Sequence, residues 1–215
     1  MTELVLTQLR EAMRCYDGEA AAEAAREAVR SGIDPLAALD VLTETIRDIG
    51  ERFGAGELWL PDLVGAADTM QRAVPILEKA LQAVNGQRES CGIVVIGTVL
   101  GDIHDIGKGM VATLLTAENF IVHDLGVNLS AEEFIAGVNK YDADVLAMSA
   151  LLTTTAPEMK RVIETLEREG MRKRVMVIVG GAAVTQDFAE RIGADGYSPT
   201  APGAAKLAKA LLCKR

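Results

Sequence analysis

The chain has 215 residues, of which 49% are hydrophobic and 25% are charged, and its formal net charge is −9. This length and composition allow one large domain or two modest ones with buried cores, while an acidic balance without a basic cluster argues against a nucleic-acid partner. The apolar runs are too short to cross a bilayer, the three cysteines are scattered, and the N-terminus lacks a signal-peptide pattern; together these features predict a cytoplasmic protein with no membrane partner.

The first 88 residues carry patterns that indicate helices only. The four predicted helices begin at Glu3, Glu19, Pro35 and Pro61, and apolar residues recur in them near helical spacing. Asp34 before Pro35 is a good N-cap residue followed by proline at the first helical position. Because the connections are short, these helices are predicted to form a four-helix bundle, which is domain 1–88.

The second predicted domain, residues 89–215, alternates short apolar strands with helices, and the polar segment 85–90 before it is the predicted linker. The strands are expected near 92–99, 121–125, 143–149, 174–179 and 195–197, and the helices near 107–118, 130–139, 156–169, 185–192 and 201–212. This alternation is typical of βαβ units in a parallel sheet with helices on both faces. The predicted fold class is therefore α/β, a five-stranded parallel sheet in the flavodoxin-like order behind a helical bundle cap.

The segment Gly101-Asp102-Ile103-His104-Asp105-Ile106-Gly107 follows the first predicted strand and holds one of only two histidines. Histidine is the usual nitrogen ligand for a transition metal, and Asp102, two residues earlier on an extended segment, projects to the same side and can orient it. Residues that leave a strand lie at the carboxyl edge of the sheet, where α/β folds bind cofactors. His104 is thus the candidate metal ligand, whereas His123, within the second strand, is interpreted as a structural histidine.

Two further elements follow this segment at defined distances. Forty-one residues separate Gly107 from Ser149-Ala150-Leu151, and twenty-eight more separate Leu151 from Gly180-Gly181. Asp-x-His-x-x-Gly, then Ser-x-Leu, then Gly-Gly at these separations resembles the signature of proteins that bind cobalamin with its nucleotide tail displaced from cobalt.

The resemblance extends upstream and covers nearly the whole chain. The segments Gly50-Glu51-Arg52-Phe53 and Gly56-Glu57-Leu58-Trp59-Leu60-Pro61 are similar to the helical cap of methyl-carrying corrinoid proteins. Those proteins are the small subunits of methylamine, methanol and aryl-ether methyltransferase systems, and they are similar to the cobalamin module of methionine synthase. The resemblance implies the same fold and a cobalamin or related corrinoid cofactor.

The resemblance also implies roles for particular residues. His104 would bind cobalt from below in the base-off/His-on form, and Asp102 with Ser149 would relay a proton to it. The displaced tail would enter a slot beside Gly107, Gly180 and Gly181. The further residues expected at the cofactor are Gly101, Ile103, Asp105, Ile106, Leu151, Thr153, Tyr197, Ser198 and Ala201.

The bundle is expected to cover the upper face of the cofactor. Trp59, Leu60 and Met70 are the residues predicted to lie over it, although Trp59 is also interpretable as a residue of the bundle core.

The function implied is that of a carrier, which shuttles a methyl group on cobalt between a substrate:corrinoid methyltransferase and a corrinoid:acceptor methyltransferase. A reductive activase is a further expected partner. Beyond the corrinoid pattern the sequence shows no Cys/His zinc cluster and no nucleophile–base pair, so a carrier subunit is favoured over a complete enzyme.

Three alternatives remain at this point. A cobalamin-dependent sensor or regulator would be expected to need a DNA-binding head in addition to the two predicted domains. An adenosylcobalamin mutase subunit would lack the bundle. A plain nucleotide-binding domain is disfavoured because no Gly-x-Gly-x-x-Gly follows the first strand.

Overall fold

The computed structural model describes residues 2–83 and 90–212. The chain divides into two compact units, Met1–Glu89 and Ser90–Arg215. The predicted linker 85–90 lies outside the described residues except for Ser90, and the predicted boundary between residues 88 and 89 therefore stays a prediction.

The described part of the first unit consists of four helices. They are α1 (Thr2–Arg14), α2 (Gly18–Arg30), α3 (Pro35–Gly54) and α4 (Leu60–Ala83). Asp34 caps α3 as predicted, because its Oδ1 accepts a hydrogen bond from Leu36 N at 3.0 Å and Pro35 follows it. The largest fully buried side chains of this unit are Leu9, Met13, Leu39, Leu42, Ile46, Ile49, Leu63, Met70 and Leu77. Their recurrence at helical spacing places one apolar stripe each of α1, α3 and α4 in a common core, to which α2 contributes buried alanines such as Ala21, Ala25 and Ala28.

The second unit is a five-stranded parallel sheet in the order β2-β1-β3-β4-β5. The strands are β1 (Gly92–Thr98), β2 (Phe120–Asp124), β3 (Val145–Ser149), β4 (Met176–Gly180) and β5 (Gly196–Tyr197). The helices are α5 (Ile106–Ala117), α6 (Ala131–Tyr141), α7 (Glu158–Arg168), α8 (Gln186–Ile192) and α9 (Ala201–Leu212). Helix α5 contacts α9, whereas α7 contacts both α6 and α8, so the helices form two groups, as right-handed crossovers require.

The predicted fold class is confirmed, and the strand order is the flavodoxin-like one. The order reverses between β1 and β3, so the carboxyl ends of these strands flank the point where such sheets bind ligands. In the described residues no helix is long and apolar enough to cross a membrane.

Candidate functional site

The loop from β1 to α5 is fixed by hydrogen bonds on both sides. Gly101 has a φ of +80°, a conformation that glycine adopts readily, and its N–H donates to Asn128 Oδ1 at 2.8 Å. The hydroxyl of Thr98 donates to the carbonyl oxygen of His104 at 3.0 Å, and Asn128 N donates to that of Asp102 at 2.9 Å. The backbone that carries Asp102 and His104 is therefore held by the end of β1 and by the loop after β2.

The carboxylate of Asp102 is fully buried and collects hydrogen bonds on both oxygens. Its Oδ1 lies 2.6 Å from His104 Nδ1 and accepts from His104 N at 3.1 Å. Its Oδ2 accepts from Leu151 N at 2.8 Å, Leu152 N at 3.3 Å and Thr155 Oγ1 at 2.8 Å. Burial alone would raise the pKa of Asp102, but the hydrogen bonds from His104, Leu151 and Thr155 outweigh it and hold that pKa well below its usual range.

His104 is the chemically available member of this pair. An ionised Asp102 accepts the proton on Nδ1, so the neutral ring carries its lone pair on Nε2. The His104 side chain is 48% exposed, although Asp102 is buried. Within residues 2–83 and 90–212 no group of three or more His, Cys, Asp or Glu could hold a metal ion.

Large apolar side chains are exposed on the β1–α5 loop, at the first residue of α5 and on the β3–α7 loop. Such exposure is unusual for residues so close to the polar network around Asp102. Those residues are Leu100, Ile103, Ile106, Leu151 and Leu152. Ile103, directly before His104, is 73% exposed. Exposed apolar side chains around the His104 ring form the kind of surface that a bound ligand or partner would cover.

A cavity of about 160 Å³ lies beside the carboxyl ends of β1, β3 and β4. Its apolar lining includes Ile96, Met110, Ala147, Met148, Ile178, Val179 and Leu207. The predicted site residues that line it are Gly107, Ser149, Gly180, Gly181, Ser198 and Ala201. The cavity thus brings together all three elements of the sequence pattern in one place.

The three glycines that line the cavity are needed for different physical reasons. Gly181 has a φ of +113°, and a Cβ there would lie 2.1 Å from the carbonyl oxygen of Ala150, so the fold itself requires glycine. A Cβ on Gly180 would lie 3.2 Å from the carbonyl oxygen of Ser198. At Gly107 a Cβ would have no heavy atom of the described chain within 4 Å. Gly107 therefore faces open space, as a residue beside a ligand slot would.

Other predicted residues lie outside this cavity lining. Thr153 is exposed on the β3–α7 loop, and Tyr197 packs against the apolar core of the sheet unit. Asp105 precedes α5 and is exposed. His123 is a structural histidine, as predicted, because its ring stacks on Tyr141 at a centroid distance of 3.7 Å.

In the helical unit Trp59 is 77% exposed, so the interpretation of Trp59 as a core residue is wrong. Leu60 is also exposed. Met70 is buried in the core, and its predicted position over the cofactor stays a prediction.

Thr155 and Lys108 were missed by the sequence reasoning. Thr155 supplies the hydroxyl on Asp102, whereas Ser149, the residue expected there, lines the cavity. Lys108 is buried, lines the cavity and pairs with Asp124. A signal for Thr155 existed in its position on the loop after β3, because the loops at one sheet edge converge and a buried carboxylate needs donors.

The fold and site together define a cofactor-binding α/β protein with an added helical unit. The chain belongs to the B12-binding family: one B12 binding domain model matches residues 92–206, and a second B12 binding domain model matches residues 5–78. The predictions of the family, of the cofactor class and of a corrinoid protein of the methyltransferase systems are confirmed.

Named relatives cover almost the whole chain. The trimethylamine corrinoid protein of Methanosarcina barkeri is 39% identical over 211 residues, which are 98% of this chain and 97% of the relative. Dimethylamine corrinoid protein 3 of Methanosarcina acetivorans is 44% identical over 171 residues, covering 80% of this chain and 79% of the relative. In the crystal structure of the methanol:cobalamin methyltransferase complex MtaBC from Methanosarcina barkeri, a chain with 29% identity matches with a TM-score of 0.83, covering 98% of this chain and 80% of that one.

Proposed function

We propose that this protein carries a methyl group on the cobalt of a bound corrinoid between partner methyltransferases, and that His104 would bind the metal in place of the nucleotide base. The observation that carries the proposal is the pair formed by His104 and Asp102, in which Nδ1 lies 2.6 Å from a buried carboxylate while the ring stays half exposed. A bound corrinoid would supply the metal that accepts and passes on the methyl group. The chain supplies the ligand, the slot and the docking surfaces.

The residues of the loop divide this work. His104 offers Nε2 to the metal, and Asp102 fixes the tautomer that makes Nε2 the donor. Because hydrogen bonds hold the pKa of Asp102 low, the carboxylate acts as an acceptor for the ring rather than as a store for a proton. The same carboxylate would stabilise a protonated His104 ring. Ser149 as a member of a proton relay stays a prediction.

The cavity is the proposed slot for the displaced nucleotide tail. Its apolar lining suits an aromatic base, and the open space at Gly107 leaves the entrance clear. Ser149 and Ser198 place hydroxyl groups on the lining, where they can bond ribose or phosphate oxygens. Thr153 remains a candidate for the same contact from the exposed loop.

The partners are proposed from the relatives. The names of the two relatives above favour a methylamine as the methyl source, and the MtaBC complex supports docking to a substrate:corrinoid methyltransferase. The acceptor methyltransferase and a reductive activase stay predictions, as does the cytoplasmic location. Exposed Trp59 is the candidate residue of the helical unit for the upper face of the cofactor.

Histidine ligation is tested by electron paramagnetic resonance of the protein loaded with cobalamin and reduced to cobalt(II). Protein labelled with ¹⁵N only in histidine should change the splitting from the axial nitrogen from a triplet to a doublet. His123→Gln labelled in the same way should behave identically, whereas His104→Ala should lose the protein-derived splitting. An unlabelled-type triplet in the labelled wild type would mean that the nucleotide base remains on cobalt.

The carrier role is tested separately with a labelled methyl group. The reduced, loaded protein is mixed with a methylamine methyltransferase and ¹³C-trimethylamine or ¹³C-dimethylamine, and the label is sought on the protein-bound corrinoid. Transfer that depends on both proteins supports the carrier. Binding of adenosylcobalamin with light-dependent association, and no methyl uptake, would favour a sensor instead.

A further inference from the structure

Tyr16 occupies a backbone position at which a glycine is expected. At the end of α1 the N–H of Asp17 donates to the carbonyl oxygen of Ala12 at 2.9 Å, and the N–H of Tyr16 donates to that of Met13 at 3.3 Å. These two hydrogen bonds form a Schellman motif, in which one residue takes a left-handed conformation and is usually glycine. Tyr16 is that residue, with a φ of +58°.

The helices α2 and α3 end in the same motif with the expected glycine. Gly32 and Gly56 have φ values of +67° and +78°, and a Cβ on either would meet no heavy atom within 4 Å apart from its chain neighbours. The other non-glycine residues with a positive φ in the described chain are asparagines and an aspartate, which tolerate this conformation. The helix end therefore does not require a tyrosine, and the contacts of its side chain have to compensate for an unfavourable backbone.

The side chain of Tyr16 lies against the first turns of α4. A Cβ built on Gly65 would lie 2.9 Å from Tyr16 Cβ and 3.0 Å from its Cγ, so the missing side chain at Gly65 makes room for the tyrosine. Asp62 lies three residues before Gly65 and thus on the same face of the helix. Partial burial, followed by the charge of Asp62 and a hydrogen bond to its carboxylate, raises the pKa of Tyr16. The hydroxyl therefore keeps its proton and is the donor in this hydrogen bond.

Asp62 in turn holds the backbone of Trp59 on both sides. Its Oδ2 accepts a hydrogen bond from Trp59 N at 2.7 Å, and its own N–H donates to the Trp59 carbonyl oxygen at 3.0 Å. Trp59 directly precedes α4 and Asp62 is the third residue of that helix, so the carboxylate forms one half of a capping box. An indole cannot supply the other half, which makes the Asp62 contact decisive for a residue whose side chain is 77% exposed.

We infer that Tyr16 is a positioning residue for Trp59. Its hydroxyl holds the Asp62 carboxylate in the orientation that accepts the Trp59 N–H, and so keeps the indole at a fixed place on the helical unit. With the exposed side chains of Leu60 and Val64, the indole then forms a preformed apolar surface. Only the statement that this surface faces the corrinoid rests on the proposed function. The order of the Trp59 segment belongs to the protein without cofactor and can be measured there.

The first measurement is amide hydrogen exchange of the protein without cofactor, followed at the Trp59 N–H by NMR. Tyr16→Phe keeps the ring over Gly65 but removes the hydroxyl. It should accelerate exchange at Trp59 roughly two- to tenfold, as expected for one lost hydrogen bond. Tyr16→Gly supplies the residue that the backbone favours and should accelerate exchange at least as much. A role confined to the end of α1 predicts the opposite for Tyr16→Gly, because glycine satisfies that role.

Thr69→Val is the matched control for the lost hydroxyl. Thr69 is a buried residue of the same helix, and its hydroxyl donates to the carbonyl oxygen of Gly65 at 2.8 Å. This variant should leave exchange at Trp59 at the wild-type rate. Equal acceleration in Thr69→Val would mean that Tyr16 acts only through the stability of α4. Wild-type exchange in either Tyr16 variant would refute the inference.

The second measurement relates this surface to the cofactor. Protein loaded with aquocobalamin is mixed with cyanide, and the rate of cyanide binding is followed in the visible spectrum. Trp59→Ala should bind cyanide faster than the wild type. Tyr16→Phe should show part of the same acceleration, because a less ordered indole covers the cofactor less well, whereas Thr69→Val should match the wild type.

The two proposals fail in different ways. If Trp59→Ala and the wild type bind cyanide at the same rate, Trp59 does not cover the cofactor, and that part of the proposed function fails whatever the exchange rates show. If Trp59→Ala is faster but Tyr16→Phe matches the wild type, the role of Tyr16 is refuted and the place of Trp59 stands.

Discussion

The two histidines of this chain have the same side chain and opposite surroundings. His104 has Nδ1 against a fully buried carboxylate, and its ring is half exposed on the loop that leads to Gly107 in the cavity lining. His123 lies in strand β2, and its ring stacks on the ring of Tyr141. The ammonium group of Lys140 lies over that same tyrosine ring. Its neighbour Asp124 pairs with Lys108 instead of with the histidine.

The difference shows that an aspartate near a histidine in sequence does not by itself prepare a metal ligand. Burial, together with the charge of Lys140, lowers the pKa of His123, so that region favours a neutral structural ring. Around His104 the carboxylate is buried and ionised, which selects one tautomer and leaves the other nitrogen outward. The carboxylate and its donors, rather than the imidazole, therefore distinguish the two regions.

The largest expected effects distinguish two glycines of the cavity lining. Gly181 is required by the backbone conformation, whereas Gly107 leaves space for a ligand. Gly181→Ala should lower the free energy of unfolding by about 1–3 kcal/mol from its backbone conformation alone, with the overlap at the Ala150 carbonyl added. Gly107→Leu should leave stability nearly unchanged but reduce cobalamin uptake, because its side chain would enter open space beside the cavity. Urea unfolding and spectrophotometric loading measure the two effects. A stable Gly181→Ala protein, or undiminished uptake by Gly107→Leu, would contradict this division.

The next effect tests the carboxylate itself. Asp102→Asn should cost roughly 1–3 kcal/mol of stability and also weaken corrinoid binding, because an amide cannot accept on both sides and leaves a buried donor unpaired. Urea unfolding and cobalamin titration of the same samples provide the measurement. Asp105→Asn is the matched control for stability, since Asp105 is exposed and makes no side-chain hydrogen bond to the described residues at the start of α5. Equal stabilities for the two variants would mean that the buried hydrogen bonds of Asp102 do not distinguish the surroundings of His104 from those of His123.

A smaller effect appears in the pH dependence of stability. The pKa of Asp102 is held below its ordinary value of 3.8, so its stabilising contribution is present above that pH and is lost as the pH falls below about 4. The pKa of His123 is also lowered, from 6.5, so the unfolded chain takes up that proton first and stability already declines as the pH drops through this value.

Thermal unfolding from pH 8 to pH 3 separates these contributions. His123→Gln should flatten the decline that begins near pH 6.5, and Asp102→Asn should flatten the part below about pH 4. If His123→Gln shows the same decline in stability near pH 6.5 as the wild type, the pKa of His123 is not lowered by its surroundings and this prediction is wrong.

Much of this comparison could be predicted from the sequence. The alternation of apolar strands and helices indicated the sheet, and the position of Asp102 and His104 after the first strand placed them at its carboxyl edge. For Thr155 the sequence offered only its position on the loop after β3, because its contact with Asp102 depends on how closely two distant loops approach each other. Gly181 was expected to make room for a ligand, but its positive φ gives a reason that only the backbone reveals.

The smallest expected effect is the one that most directly tests the contrast between the two regions. His123→Gln should bind cobalamin with the same visible spectrum and affinity as the wild type. The reason is that the His123 ring, on β2, contacts Tyr141 on α6 and does not line the cavity of the sheet unit. Tyr141→Leu removes the stacking partner and should likewise change stability more than loading. A changed spectrum in His123→Gln, with thermal stability intact, would mean that His123 reaches the cofactor. The residues around each histidine would then not determine which of the two binds the metal.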